Sequence, residues 1–89
     1  MNSAQPIAIV TGGGRGIGRG VSLRLASEGY RVLLTYNSDS SSAEQTVDEI
    51  RTNGSDAVAL KIDCSLPSEI LLLSEHPWCK NGIDVLILN

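Results

Sequence analysis

The chain has 89 residues, a net charge of −3 and ordinary apolar content, so it makes one small domain with a thin core, burying roughly 60–65% of its unfolded surface. Its apolar runs are too short to cross a bilayer, and its scattered Lys and Arg leave no nucleic-acid footprint. The N-terminus Met-Asn-Ser-Ala-Gln-Pro lacks a signal core, and Cys64 and Cys79 fit no zinc spacing, so a soluble cytoplasmic protein with two reduced thiols is expected.

Ile7 to Val10 is short, rich in β-branched residues and apolar on both faces, as a strand buried from both sides should be. The run Thr-Gly-Gly-Gly-Arg-Gly-Ile-Gly follows at residues 11–18, with five glycines in eight positions. Ile17, Val21 and Leu25 then recur every four residues, which predicts a helix that buries this stripe and ends at Gly29. Arg31 to Thr35 reads as a second strand. Asn37 to Ser42 is a loop rich in N-cap residues, where Ser41 with Glu44, or Ser42 with Gln45, would form a capping box. Ala43, Val47 and Ile50 supply the next helical stripe, closed by Gly54.

Ala57 to Ile62 is a third apolar segment and Val85 to Leu88 a fourth. Between them, Leu66 to Lys80 has helical length, but Pro77 lacks the N–H that a helix interior needs, so the helix is expected to end or kink near His76. Strands alternating with helices across short connections predict a parallel α/β sheet with right-handed crossovers. The expected order is 3-2-1-4, with three helices. The first two cover one face; the third, interrupted, leaves the other largely bare. The fourth strand would be an apolar edge, prone to association.

A strand running through glycines into a helix N-terminus suits an anionic phosphate, because unpaired N–H groups and the positive end of the helix dipole face the ligand. The G-x-G-x-x-G spacing is not met from any glycine. A Walker pattern fails as well, since Arg19-Gly20 stands where Lys-Ser/Thr is required. What fits is T-G-x-x-x-G-I-G: Thr11, Gly12, Gly16, Ile17 and Gly18.

On this motif the sequence resembles the short-chain dehydrogenase/reductase family. Ile62-Asp63-Cys64-Ser65 is similar to the family's D-V-S segment after strand three. Gly82-Ile-Asp-Val-Leu-Ile-Leu-Asn89 is similar to its G-x-x-D-x-L-V-N-N-A-G, one residue short, with Leu88 in place of the first Asn. The resemblance covers essentially the whole chain. It implies an incomplete Rossmann fold: the N-terminal part, residues 1–89, of one NAD(P)-binding domain, truncated after strand four. It also implies an oxidoreductase that transfers hydride between a nicotinamide cofactor and a carbonyl or alcohol, whose full-length relatives are homo-oligomers.

The resemblance further assigns the cofactor contacts. Gly12 makes the turn, Gly14 and Arg15 sit in the loop, and Gly16 and Gly18 let the first helix pack on the sheet and receive the pyrophosphate. The Ile17 amide faces phosphate oxygens, while Thr11 holds the loop's shape. Asp63 would accept from the adenine amino group and the Cys64 N–H would donate to the ring, although Asp63 or Ser65 reads equally well as an N-cap. Asn89 ties strand four to its neighbours.

NAD-specific relatives end strand two in an acid that binds the ribose 2′-OH. Here Tyr36 stands at that position, followed by Asn37 and Ser38, and Arg15 is placed to meet a 2′-phosphate with two parallel bonds. NADP is therefore favoured over NAD. Asp39 is the counter-evidence, since a small loop shift would bring it to the ribose.

The family's Ser-Tyr-Lys constellation is missing. The only tyrosines, Tyr30 and Tyr36, are followed four residues on by Leu34 and Ser40. His76 with Cys79 lacks an orienting acid, so His76 reads as a surface or capping residue. Glu44, Asp48 and Glu49 read as the solvated face of the second helix. The chain by itself is expected to be inactive. The alternative is a non-catalytic nucleotide-binding or partner-binding fragment, and no metal site is expected.

Overall fold

In a computed structural model of the chain, residues 5–80 and 82–89 are described; most of the N-terminal segment read above for a signal sequence lies outside them. The elements are β1 (Ile7–Val10), α1 (Gly16–Ser27), β2 (Arg31–Tyr36), α2 (Ser40–Thr52), β3 (Ala57–Lys61), α3 (Pro67–Ser74), a 3-10 turn (Pro77–Cys79) and β4 (Val85–Ile87). The strands form one sheet in the order β3-β2-β1-β4, all parallel, with Ile9 opposite Leu33 and Leu86. The expected topology is therefore present.

Alternation along the strands divides the core. On one face Val10, Val32, Leu34 and Ala57 meet Ala26 of α1 and Ala43, Val47 and Ile50 of α2. On the other, Ile9, Leu33 and Ile62 meet Leu73, the one buried residue of α3. Leu66, Ile70, Leu71, Leu72, Ile83, Leu86 and Leu88 stay exposed. An apolar hollow of about 440 Å³ opens between α3 and β4. The bare second face follows from one short helix facing four apolar strands.

Three details depart from the sequence reading. The buried stripe of α1 is Gly18, Ser22 and Ala26; Ile17 is 80% exposed, and Val21 and Leu25 pack only at the flank. The short turn from β1 brings the helix so close to the sheet that only small residues fit between them. The cap of α2 is Asp39, whose Oδ1 accepts from the Ser42 N–H at 3.0 Å, in place of a box built on Ser41 or Ser42. A carboxylate at N-cap also meets the positive helix end, which a serine hydroxyl does less well. α3 starts at Pro67 with Leu66 at N-cap and no side-chain cap, so neither Asp63 nor Ser65 caps it.

The reading of His76 as a capping residue is matched. His76 caps the 3-10 turn, its Nδ1 accepting from the Trp78 N–H at 3.1 Å. Both cysteines are free, and burial pushes the Cys79 thiol up. Among the described residues no helix is long and apolar enough to cross a membrane, and no cluster of metal-ligating side chains occurs.

β4 presents Leu86, 53% exposed, on the bare face. Leu86→Lys is expected to shift the 89-residue chain from associated species towards monomer in sedimentation velocity, because a charged edge strand resists pairing. Association unchanged by the substitution would show that β4 is not the template.

Candidate cofactor site

The site begins with a steric constraint. Gly12, with φ +63°, turns the chain out of β1, and Gly16, with φ +59°, turns it into α1. Both angles belong to the left-handed region that residues with a Cβ rarely adopt. Gly18 is required by contact: a Cβ there would lie 2.1 Å from the Gly12 carbonyl oxygen. A Cβ on Gly13 would strike Leu34 and Ser22, and one on Gly14 would strike Ala43 of α2, each below 3 Å. Gly16 has nothing within 4 Å of such a position. Of the two glycines assigned to helix packing, only Gly18 packs; Gly16 serves by its backbone angle.

The loop's carbonyls are pinned from three different elements. Asn89, beyond β4, donates through Nδ2 to the Gly12 carbonyl at 3.2 Å. Ser22 of α1 donates to Gly13 at 3.1 Å, and the Thr46 hydroxyl of α2 shares its proton between the Gly14 carbonyl at 3.0 Å and the Ser42 carbonyl at 2.9 Å. Arg19 donates to the Thr46 hydroxyl at 3.0 Å and pairs with Glu49. In a trans peptide the N–H points opposite to the carbonyl before it. With the Gly13 and Gly14 carbonyls held against the helices, the Gly14 and Arg15 N–H groups face away from them. Among the described residues, the amides of Gly14, Arg15, Gly16, Ile17 and Gly18 have no acceptor. Arg15, at the N-cap of α1, makes no side-chain cap, and the first turn holds no acid.

The residues of the first four of these amides border a cleft of about 470 Å³ lined by Gly12, Gly14, Arg15, Gly16, Ile17, Thr35, Tyr36, Asn37, Ser38, Asp39 and Asn89. It lies at the C-terminal ends of β1 and β2, beside the β1–β4 junction where strand order reverses, the place where open α/β sheets bind ligands. Nine of the twelve residues expected from sequence line it. Gly18 lies behind the wall. Asp63 and Cys64 line an adjoining hollow of about 270 Å³, which shares Gly12, Thr35, Tyr36, Asn37 and Asn89 with the cleft.

Asp63 makes a turn, its Oδ1 accepting from the Ser65 hydroxyl at 2.6 Å and the Ser65 N–H at 3.0 Å. These bonds hold its carboxyl below the usual range. Among the described residues the Cys64 N–H has no partner. Thr11 ties the ends of β1 and β4 together: its hydroxyl accepts from the Asn89 N–H at 3.0 Å and lies 3.3 Å from the Ile87 carbonyl. Asp39 is fixed by its cap to Ser42 and is 3.4 Å from Arg15. The Ser42 N–H, then its hydroxyl, keep the Asp39 carboxyl below its usual range, and Arg15 adds in the same direction.

Sequence reasoning missed Thr35, whose Oγ1 accepts from the Gly12 N–H at 3.3 Å, as well as the pins Ser22 and Thr46. Ser22 and Thr46 fall outside the apolar stripes predicted for their helices, and only the observed helix orientation turns them inward.

Gly18→Ala is expected to destabilise the fold by about 3 kcal/mol, because the new methyl overlaps a backbone atom. Gly20, in the same helix with open space around it, provides the opposite sign: Gly20→Ala should stabilise by about 0.5–1 kcal/mol. Urea unfolding of both variants checks the pair, and a silent Gly18→Ala would refute the close approach.

The family model described as short chain dehydrogenase matches residues 6–89. The hydroxynaphthalene reductase-like protein Arp2 of Metarhizium anisopliae is 40% identical over 87 residues, 97% of this chain and 33% of that protein. The short-chain dehydrogenase/reductase homolog YusS of Bacillus subtilis is 38% identical over 90 residues, 100% of this chain and 83% of its own length. The crystal structure of a short chain dehydrogenase from Burkholderia cenocepacia in complex with NADP superposes with a TM-score of 0.84 at 32% identity, covering 91% of this chain and 34% of that one. The chain thus spans about a third of the length of the Arp2 relatives that it matches. Matched over residues 6–89 by that family model, this chain belongs to the short-chain dehydrogenase/reductase family.

Proposed function

We propose that residues 1–89 are the N-terminal, dinucleotide-binding part of an oxidoreductase domain that moves hydride between NADP(H) and a carbonyl or alcohol substrate. The observation that carries this reading is the run of unpartnered amides from Gly14 to Gly18 at an uncapped helix start, which fits a diphosphate. A bound nicotinamide ring would supply the hydride.

This chain's residues bind and orient. The loop amides, Ile17 among them, receive the diphosphate, and Asn89 braces the loop from β4. Asp63 retains Oδ2 to accept from the adenine amino group, and the Cys64 N–H donates to the ring. Tyr36, Asn37 and Ser38 surround the ribose, where no carboxylate ends β2. Arg15 meets a 2′-phosphate, which favours NADP over NAD; the NADP complex of the Burkholderia relative supports this. No Tyr in the sequence is followed four residues on by Lys, so the proton donor for the carbonyl is proposed to come from residues beyond this sequence. The two free cysteines suit a reducing, cytoplasmic setting.

A second reading, a nucleotide-binding chain without catalysis of its own, draws support from YusS, 83% of whose length this chain matches. Hydride transfer measured on the protein separates the two.

NADPH and NADH titrated into the protein should each perturb the amide NMR signals of residues 14–18. Arg15→Ala should weaken NADPH about tenfold, since a charge-assisted bond is worth about 1.5 kcal/mol or more, and leave NADH within about twofold. Equal binding of both cofactors by the unaltered protein would overturn the NADP assignment; silent loop amides would overturn the site.

A further inference from the structure

We propose that Asp39 is a specificity-determining residue of this cleft: it restrains Arg15 and occupies the N-terminus of α2, and so limits the preference for a 2′-phosphate. The inference rests on the NADP reading above.

The two partners differ in freedom. The Asp39 carboxylate is fixed, with Oδ1 accepting from the Ser42 N–H at 3.0 Å and Oδ2 from the Ser42 hydroxyl at 2.8 Å. The Arg15 side chain is 76% exposed, and its 3.4 Å contact with Asp39 is its one side-chain bond among the described residues. Arginine is therefore the movable member. Both residues line the cleft wall that includes Tyr36, Asn37 and Ser38, the wall assigned to the ribose.

A ligand ending in a 2′-hydroxyl gives Arg15 no reason to leave Asp39. A 2′-phosphate does, since its oxygens offer two parallel charge-assisted bonds, whereas Oδ2 of Asp39 is already shared with Ser42. The carboxylate cannot follow the arginine or withdraw, because it holds the first turn of α2. It stays as a fixed negative charge beside the phosphate and repels it. It also covers a second positive helix end, at Ser40–Ser42, that would otherwise attract the same phosphate. Arg15 creates the preference, and Asp39 limits it.

Asp39→Asn separates charge from structure, since Asn caps a helix about as well as Asp; Asp39→Ser keeps a capping oxygen of different shape. Dissociation constants for NADPH, NADH and 2′,5′-ADP are to be measured by NMR titration of the protein, with a ligand-free thermal melt of each variant. Both variants should melt near the unaltered protein. They should bind NADPH and 2′,5′-ADP about three- to tenfold more tightly and NADH within about twofold, as expected for one partly screened charge. If Arg15→Ala weakens NADPH but folded Asp39→Asn and Asp39→Ser leave the NADPH-to-NADH ratio unchanged, the role of Asp39 is refuted while the NADP reading stands. If Arg15→Ala has no effect on NADPH, both fall together.

Discussion

The structure depends on how closely α1 approaches the end of β1. The Gly12 carbonyl sits where a Cβ on Gly18 would be, so two segments of backbone touch with no side chain between them. That contact fixes where the helix starts and aims its first amides at the mouth of the sheet. It is not held locally. The carbonyls of Gly12, Gly13 and Gly14 are gripped by Asn89, Ser22 and Thr46, so β4, α1 and α2 each contribute to one loop. At Gly13 and Gly14, where these bonds are buried, a carbonyl left without its donor costs about 1–3 kcal/mol. The loop is as rigid as the packing behind it, which is the kind of support a site made of backbone requires.

That packing is uneven. The face covered by α1 and α2 is closed: Val10, Val32 and Leu34 are fully buried in the cluster that these helices complete. The cleft is built from the ends of these elements, so its walls inherit their order. The opposite face has only Leu73 buried from α3, with Leu86 and Leu88 exposed at β4. Asn89 reaches from beyond β4 to the Gly12 carbonyl, and Thr11 at the start of the loop bonds to the Ile87 carbonyl of β4. Asp84 closes the other end of the same strand pair, its carboxylate accepting from the Ile7 N–H at 2.9 Å.

The topology was legible because it rests on patterns that operate within a few residues. Ile7–Val10 is apolar on both faces, Gly29 and Gly54 end helices, and Pro77 stops α3; each acts through local sterics or burial. The parts that were misread are set by tertiary contact. Ile17, Val21 and Leu25 form the more apolar stripe, yet Gly18, Ser22 and Ala26 face the sheet, because the distance between helix and strand decides and hydrophobicity does not. Gly16 and Gly18 look alike in the motif, but one answers to a backbone angle and the other to an overlap of atoms. Ser22 and Thr46 carried only a faint signal, since a hydroxyl in a helix is more often solvated than directed at a loop 9 or 32 residues away in sequence.

The two helix starts at the cleft are finished in opposite ways, and the difference bears on how affinity and selectivity are divided. α1 begins without a capping side chain or an acid in its first turn, so its amides and dipole remain available and an anion placed there satisfies groups that the protein leaves unmet. α2 begins with Asp39, which meets its own helix end and Arg15 together. In the proposed reading, the diphosphate common to NAD and NADP goes to the open start and supplies most of the binding. The ribose end, where the two cofactors differ, falls beside the start that is already satisfied. A new charge there must displace an existing partner, which yields only the difference between two ion pairs. Selectivity built in this way is modest and adjustable by single residues, whereas the phosphate cradle tolerates almost no change because it is made of backbone.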